Sequence, residues 1–357
     1  MAKDSSSDGR SRSRVAAVTA ATLLGAALAE WLHIPAGALL GGMLVAIVAA
    51  LTLSIHVPVS RPLLLCAQAV LGAALCSSFQ PSAWAALADN WLIALVNVVG
   101  VVGIGQGVAL VFSRWSGVDV RTATLGLMPG GASAMVALSE ELGADARLVT
   151  LFQYLRLGVV IVVAAVVGRW ASGVPDMRVA TAAALPGSPP ALLAWGVTAL
   201  VAAVGGALGT WWKLPAGGFL GPLLLGIPLT ALDIPVGAWP PAVLPLSLWV
   251  LGTRVGSHFD EAAVHELKRV ALGALGAALA MVGGCLLLAW AWAWSAVGEV
   301  ELLTTYFATS PGGADSVLAI ALGTRANLSL VIAVQVGRLL LIFLVAPLFL
   351  RRLVGPR

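Results

Sequence analysis

Long apolar segments separated by short polar stretches run along almost the whole chain. Ten of these segments reach the length of about 17 to 25 residues that a helix needs to cross a bilayer. In the first half they lie near 15–33, 35–53, 63–79, 91–113 and 148–168, and in the second half near 191–211, 214–232, 241–257, 270–295 and 328–350. The pattern predicts an all-α integral membrane protein.

The composition and the charge agree with this class. Hydrophobic residues make up 60% of the chain and charged residues only 10%, which is typical of a bundle of membrane helices rather than of a soluble core. The formal net charge of +4 comes from basic residues that are spread along the chain at segment ends. We therefore expect the lipid bilayer as a partner, and no nucleic acid.

The chain contains one membrane unit written twice. The motif Pro-Gly-Gly-Ala occurs at 129–132 and again at 311–314, and each copy is followed at the same distance by Gln-x-x-Arg. Matched positions early in the halves, such as Pro35 and Pro215, share one sequence offset, whereas later ones, such as Pro129 and Pro311, share a slightly larger one. One small insertion therefore separates two otherwise collinear repeats.

The repeat divides the chain into five parts. We expect a cytoplasmic tail over 1–14, a membrane repeat over 15–175, a linker over 176–190, a second membrane repeat over 191–350 and a cytoplasmic tail over 351–357. The basic, Ser-rich start and the apolar stretch after it also resemble a cleavable signal peptide. The matched segment 191–211 is a spanning candidate and favours a retained first span.

The two Pro-Gly-Gly segments, 121–147 and 302–325, decide the topology. If each enters and returns as a re-entrant hairpin, each half has about five transmembrane helices and the repeats are inverted; if each crosses, twelve spans form parallel repeats. Of the Lys and Arg residues that lie between the spans and in the tails, the hairpin arrangement leaves only Arg169, Arg178 and Arg325 on the outer side. The positive-inside rule favours such a distribution. We therefore expect inverted repeats in a bacterial inner membrane, with both termini in the cytoplasm.

The two breaks are candidate binding elements. A broken segment at membrane depth is tolerated only where it is buried in protein or lines a watery cavity, and paired breaks in two halves point to the binding site of a transporter. A helix that starts after each break offers free N–H groups to an anion. The alternative is a plain helix kink. The candidate substrate-binding residues of the breaks are Pro129, Gly130, Gly131, Ala132, Ser133, Ser310, Pro311, Gly312, Gly313 and Asp315.

The Gln-x-x-Arg pairs on the following spans complete the candidate site. Their spacing places both side chains on one helix face, at Gln153 and Arg156 and again at Gln335 and Arg338. An arginine at this depth normally faces the bundle interior and has a partner there. We interpret the arginines as holding an anionic substrate and the glutamines as adding hydrogen bonds. Alternatively, each arginine caps the carbonyls freed at the break or pairs with Asp315.

The halves differ where a substrate site needs asymmetry. Ser133 in the first break corresponds to Asp315 in the second, which is the only acidic residue in either predicted hairpin tip. Three roles are open for Asp315: it binds a coupling cation such as Na+, it carries a proton, or it neutralises Arg338.

The other polar residues indicate no catalytic or metal centre. Arg254 replaces Ala74 of the first half, and we expect it to pair with Asp260 or Glu261. No histidine forms a metal-ligand pair with a carboxylate inside a span, so we expect neither a cofactor nor an enzyme. We interpret the cysteines as core residues. The histidines and cysteines are His33, His56, His258, His265, Cys66, Cys76 and Cys285.

The tandem motifs at 128–135 and 310–317, with Leu-Pro-Ala-Gly earlier in the second half and Ile-Pro-Ala-Gly in the first, resemble the bacterial AbrB duplication membrane proteins. The resemblance covers residues 15–350. Members of that family are often labelled ammonia monooxygenase or regulator of gene expression, yet nothing in this sequence supports oxygenase chemistry or DNA contact. A broader likeness, to inverted-repeat carriers of the antiporter and anion-transporter type, is an analogy of fold.

The sequence therefore predicts a secondary carrier of a small organic anion, carboxylate-like and coupled to Na+ or H+. The alternative is a membrane-embedded regulator of gene expression that binds such a ligand and acts through a partner. A membrane enzyme has less support because no metal site is visible. We also consider a homodimer.

Overall fold

The described part of the chain is helical. The structure is a computed structural model and describes residues 5–76, 78, 91–129, 135, 138–139, 142–172, 191–214, 216–259, 268–295 and 300–354. Within these ranges there are thirteen helices and no strand. The linker predicted over 176–190 lies outside the described residues.

The helix bounds follow the predicted segments. The first half contains α1 (Ser5–Trp31), α2 (Gly37–Leu53), α3 (Arg61–Cys76), α4 (Trp91–Ser116), α5 (Val120–Leu127) and α6 (Ala146–Ser172). The second half contains α7 (Ala191–Trp211), α8 (Gly217–Ala231), α9 (Val243–Gly256), α10 (Lys268–Ser295), α11 (Leu302–Thr309), α12 (Ala314–Leu322) and α13 (Leu328–Val354). Each of the ten predicted spans is occupied by one helix.

The helices differ in how far they reach across a membrane. Five are long and apolar enough to cross one, namely those within α1, α4, α6, α7 and α10. The other five predicted spans are apolar helices of 10–17 residues over their searched parts. Large apolar side chains such as Leu24, Val111, Trp170 and Leu287 are exposed on the outside, where lipid rather than water suits them. These are the properties of a helical membrane protein.

Consecutive helices pack backbone against backbone at small residues. α1 packs on α2 and α7 on α8, and a Cβ added at Gly41 or Gly221 would overlap the carbonyl of Gly25 or Gly205 respectively. The loop into the second helix of each pair turns through a left-handed alanine, Ala36 in the first half and the matching alanine in the second. The same corner therefore occurs in both halves.

The two halves interlock. α3 packs on α8, α9 packs on α2, and α3 and α9 pack on each other. A Cβ at Gly72 of α3 would overlap the carbonyl of Phe219 in α8, and one at Gly252 of α9 would overlap that of Leu39 in α2. Each of these contacts joins the halves, and both involve the same two positions of the repeat.

The main apolar core combines residues of both halves. It contains, among others, Leu39, Leu75, Phe219 and Phe307, all fully buried. Of the three cysteines predicted in the core, Cys76 and Cys285 are buried, whereas Cys66 is exposed. The prediction was wrong for Cys66 because it lies on a face of α3 that the described helices leave uncovered.

In each Pro-Gly-Gly segment a residue near the start contacts a residue near the end. The hydroxyl of Thr122, near the start of the first segment, accepts a hydrogen bond of 3.1 Å from the backbone N–H of Asp145 at its end. The hydroxyl of Thr304 accepts one of 2.9 Å from the N–H of Asn327. Both partners in the second pair occupy the positions of the repeat that match those in the first.

Candidate functional site

The second break is an extended turn between α11 and α12. Ser310 leaves the helix with φ −54° and ψ 127°, because a residue before proline is disfavoured in the helical region. Gly313 is also extended, with φ −67° and ψ 136°, and α12 starts after it. The carbonyls at the end of α11 consequently lose their intrahelical partners.

Side chains of α13 take up those carbonyls. Gln335 Nε2 donates to the carbonyls of Phe307 at 2.6 Å and Ser310 at 3.2 Å. Arg338 donates through Nη1 to Ser310 O at 2.7 Å and through Nη2 to Gly312 O at 3.1 Å. Arg338 also donates to Gln335 Oε1, so the two side chains hold each other as well as the break.

The first break is held in the same way by α6. Gln153 Nε2 donates to the carbonyls of Leu125 at 2.6 Å and Met128 at 3.0 Å. Arg156 donates to Leu127 O at 3.1 Å and to Gln153 Oε1 at 2.9 Å. The glutamine contacts match those of the second half residue for residue along the repeat.

These contacts correspond to one of the alternatives that the sequence left open, in which each arginine caps the carbonyls freed at a break. The pairing of Arg338 with Asp315 is not among the contacts within the described residues. The carboxylate of Asp315 instead accepts hydrogen bonds from Gln68 Nε2 at 3.4 Å and from the backbone N–H of Ser316 at 2.8 Å.

The two capping arginines are buried and lie near each other. Arg156 is 3% exposed and Arg338 is 2% exposed. The charge of Arg338 acts on Arg156, and both charges act on the thiol of Cys285. No carboxylate among the described residues pairs with either arginine. The structure therefore brings the two predicted arginines together as a buried, positively charged centre.

Several donors around this centre have no partner. The Nε–H groups of Arg156 and Arg338 are buried and unbonded within the described part of the chain, as are the hydroxyls of Tyr306 and Ser310. A buried donor without an acceptor costs about 1 to 3 kcal/mol, and more when it is charged. The described part of the chain therefore leaves several hydrogen-bond donors at this centre unsatisfied.

The remaining predicted site residues are placed as follows. Pro129, Pro311 and Gly312 are buried, whereas Gly313 and Asp315 are half-buried. The first tip, formed by Gly130, Gly131, Ala132 and Ser133, lies outside the described residues, and so do Asp260 and Glu261, the partners expected for Arg254. The described residues contain no group of three or more His, Cys, Asp or Glu side chains that could hold a metal ion.

Sequence reasoning missed several polar residues around the second break. Gln68, Tyr154 and Tyr306 were not among the predicted site residues, although Tyr306 lies within the second Pro-Gly-Gly segment. A position-by-position comparison of the two halves indicates Gln68 and Tyr154. The matched positions of the second half hold apolar residues instead, Leu248 and Val336.

A comparison with protein families shows to which family the chain belongs. The family model described as "Transition state regulatory protein AbrB" matches residues 39–354. The chain belongs to the AbrB family. The resemblance of the tandem Pro-Gly-Gly motifs is thereby confirmed, and the match covers both breaks and both Gln-x-x-Arg pairs.

Two relatives cover most of this AbrB family chain. A protein of Escherichia coli (strain K12) named "Putative regulator AbrB" is 33% identical over 323 residues, which is 89% of this chain and 90% of the relative. A Bacillus subtilis (strain 168) protein, "Uncharacterized protein YhjN", is 25% identical over 323 residues, or 83% of this chain and 79% of its own. No solved structure matches the chain.

Proposed function

We propose that this AbrB family protein is a secondary transporter of a small, carboxylate-like organic anion. In this proposal the two halves are inverted repeats, and the broken segments are re-entrant hairpins whose tips meet inside the bundle. Alternating access follows from one bundle moving against the other around those tips.

The closing hydrogen bonds of the two segments support the hairpins. A segment that crossed the membrane would separate its ends by about 30 Å, whereas Thr122 bonds to Asp145 and Thr304 to Asn327. The arms α11 and α12 have 8 and 9 residues, about 12 and 14 Å, so neither spans alone. A returning segment gives each half an odd number of crossings and hence opposite orientations.

The observation that carries the anion proposal is the pair of buried arginines. Placing one arginine at membrane depth costs about 2.5 to 3.5 kcal/mol on insertion scales, and two that repel each other cost more. Arg156 and Arg338 each keep an unbonded Nε–H. A carboxylate that accepts from these donors would offset both the charge and the lost hydrogen bonds.

A polar cavity lies at the open end of the second hairpin. It has a volume of about 520 Å³ and is lined by Glu301, Thr304, Arg325 and Asn327, among others. These residues lie at the open end of the hairpin. In the inverted arrangement this end faces the outside of a bacterial inner membrane, and both termini lie in the cytoplasm.

Asp315 is the coupling residue of the proposal. It is the acidic residue at the second tip, it is half-buried, and only Gln68 and Ser316 bond to it within the described residues. A proton or Na+ that binds there would change the charge next to the tip from which α12 begins.

The test is counterflow of radiolabelled carboxylates in proteoliposomes that contain the purified protein. Wild type should exchange at least one small carboxylate, and Arg156→Gln and Arg338→Gln should reduce exchange by tenfold or more, about 1.4 kcal/mol or more. Arg169→Gln is the matched control, because Arg169 is exposed and bonds to Leu32 and His33 at the end of α1. Wild-type protein that binds a carboxylate but never moves it would refute the transporter.

That refuting result would favour a second candidate, a membrane-embedded ligand sensor that regulates gene expression through a partner. The name of the Escherichia coli relative, "Putative regulator AbrB", favours this candidate. A sensor needs the same anion site but no alternating access. Binding without counterflow is therefore the discriminating observation.

A further inference from the structure

Five polar residues that the other half does not share come together beside the second break. At the matched positions the other half has Leu248, Val336, Ala74, Ser78 and Ser133. Because the capping network is duplicated and this cluster is not, the cluster is the part of the molecule able to make one specific site. Its members are Gln68, Tyr154, Arg254, His258 and Asp315.

Four of the five residues lie on four different helices, and the fifth, His258, follows the end of α9. Gln68 of α3 donates to Asp315 of α12, and Tyr154 of α6 experiences the charges of both Arg254 and Asp315. His258 stacks on Tyr154 with 3.8 Å between ring centroids and 16° between planes. Its Nδ1 lies 2.6 Å from the carbonyl oxygen of Arg254. The tyrosine hydroxyl thus lies within electrostatic range of both charged residues.

The cluster carries one positive and one negative charge that form no ion pair with each other or with the rest of the described residues. Burial, together with the charge of Arg254, lowers the pKa of His258 to about 4, so this imidazole is neutral at pH 7. Arg254 has a buried Nε without a partner, and its guanidinium forms no hydrogen bond or ion pair with the described residues. All five side chains are half-buried, so the cluster is open enough for a ligand to reach it.

Opposite charges that are partly desolvated and unpaired are costly. A ligand with a single charge would satisfy one of them and leave the other. A small molecule with a carboxylate at one end and an ammonium at the other would satisfy both, with the Tyr154 hydroxyl as a neutral donor or acceptor between them. The ammonium would also find a second acceptor next to Asp315, the amide oxygen of Gln68, whose Nε2 donates to Asp315.

We propose that Gln68, Tyr154, Arg254 and Asp315 form a binding site for a small amino carboxylate, with its carboxylate on Arg254 and its ammonium on Asp315. The ammonium then takes the place on Asp315 that the transport proposal gives to Na+ or a proton. The site is distinct from the buried arginine centre, because Tyr154 and Arg156 are close in sequence but project from different faces of α6. His258 positions the tyrosine and does not contact the ligand.

The experiment compares ligands that differ by one charge. The thermal unfolding temperature of the purified protein in detergent is measured with glycine, β-alanine or 4-aminobutyrate, and with the single-charge analogues butyrate and propylamine. At equal concentration at least one zwitterion should raise the unfolding temperature, whereas the analogues should raise it less or not at all. Equal stabilisation by butyrate and 4-aminobutyrate, or none by any zwitterion, would overturn the proposal.

The variants use the residues that the other half has at these positions. Asp315→Ser and Arg254→Ala should each weaken zwitterion binding about tenfold or more, and Asp315→Ser should bring the preference towards butyrate. The exposed residues Asp233 and Arg147 provide the controls Asp233→Asn and Arg147→Ala, which should bind as wild type does. Unchanged zwitterion binding in both site variants would also overturn the proposal.

The outcomes separate this inference from the transport proposal. Zwitterion binding that depends on Asp315 and Arg254, without any counterflow, would contradict transport and leave this site standing. Counterflow of plain carboxylates with no zwitterion preference would contradict this site alone.

Discussion

Each Gln-x-x-Arg pair solves a problem that its neighbouring break creates. A proline and two glycines at membrane depth free several carbonyls, and each costs several kcal/mol if it faces hydrocarbon. The glutamine amide spans two of these carbonyls in both halves, and the arginine bonds to a further one beside it. The residues that hold the break are therefore also the ones that place positive charge in the centre.

Replacement of the capping glutamine should destabilise the fold. In Gln335→Leu the carbonyl of Phe307 loses its donor, whereas that of Ser310 keeps Arg338. We therefore expect a loss of about 1 to 3 kcal/mol in the free energy of unfolding, the cost of one unsatisfied buried group. Equilibrium unfolding in detergent measures this loss.

Gln106→Leu is the matched control. Its Nε2 is buried and has no partner in the described chain, so an apolar side chain of similar size should leave stability unchanged or raise it. Equal losses in the two variants would contradict the capping role of Gln335.

The sequence predicts the glutamines and arginines that bond to the breaks, but not the contact between Gln68 and Asp315. Spacing alone places Gln153 beside Arg156 and relates both to the first break. The contact between Gln68 and Asp315 joins residues 247 positions apart and exists because α3 of one half packs near α12 of the other. No local pattern records that packing, so only the two matched halves give an indirect signal.

At the scale of elements, small residues set how closely the helices approach. α1 with α2 and α7 with α8 form pairs whose backbones touch at glycines, as is common where no hydrophobic force acts between helices in lipid. Hydropathy predicts the positions of all ten helices. It overestimates the length of several, because it counts apolar residues whether or not they are helical: α9 begins at Val243, after Pro240 and Pro241.

A methyl group at the closest of these contacts should separate the pair. In Gly221→Ala the added Cβ overlaps the carbonyl oxygen of Gly205, and overpacking of this kind costs about 1 to 3 kcal/mol. We expect a lower unfolding temperature and less monodisperse protein after extraction, measured by differential scanning fluorimetry and size-exclusion chromatography.

Gly276→Ala provides the comparison for that variant. Gly276 is also helical, but nothing lies within 4 Å of its added Cβ, so the better helix propensity of alanine should stabilise by up to about 1 kcal/mol. If both variants behave alike, close packing at Gly221 is not what joins α7 to α8.

At the scale of the whole molecule, the two halves interlock around a shared apolar core. The third helix of each half packs on the second helix of the other, and the main core draws residues from both. Neither half is able to bury its apolar faces alone in this arrangement. A movement of one bundle would therefore act on both breaks, which is the property that a carrier with two tips needs.

The orientation of the second half tests this account most directly. In a variant without Cys66, Cys76 and Cys285, single cysteines at Ala171 and Trp212 are labelled in intact cells with a membrane-impermeant maleimide. Returning hairpins place Ala171→Cys outside, where it should be labelled, and Trp212→Cys inside, where it should react only after the cells are opened. Labelling of Trp212→Cys from outside together with protection of Ala171→Cys would contradict inverted repeats with both termini in the cytoplasm.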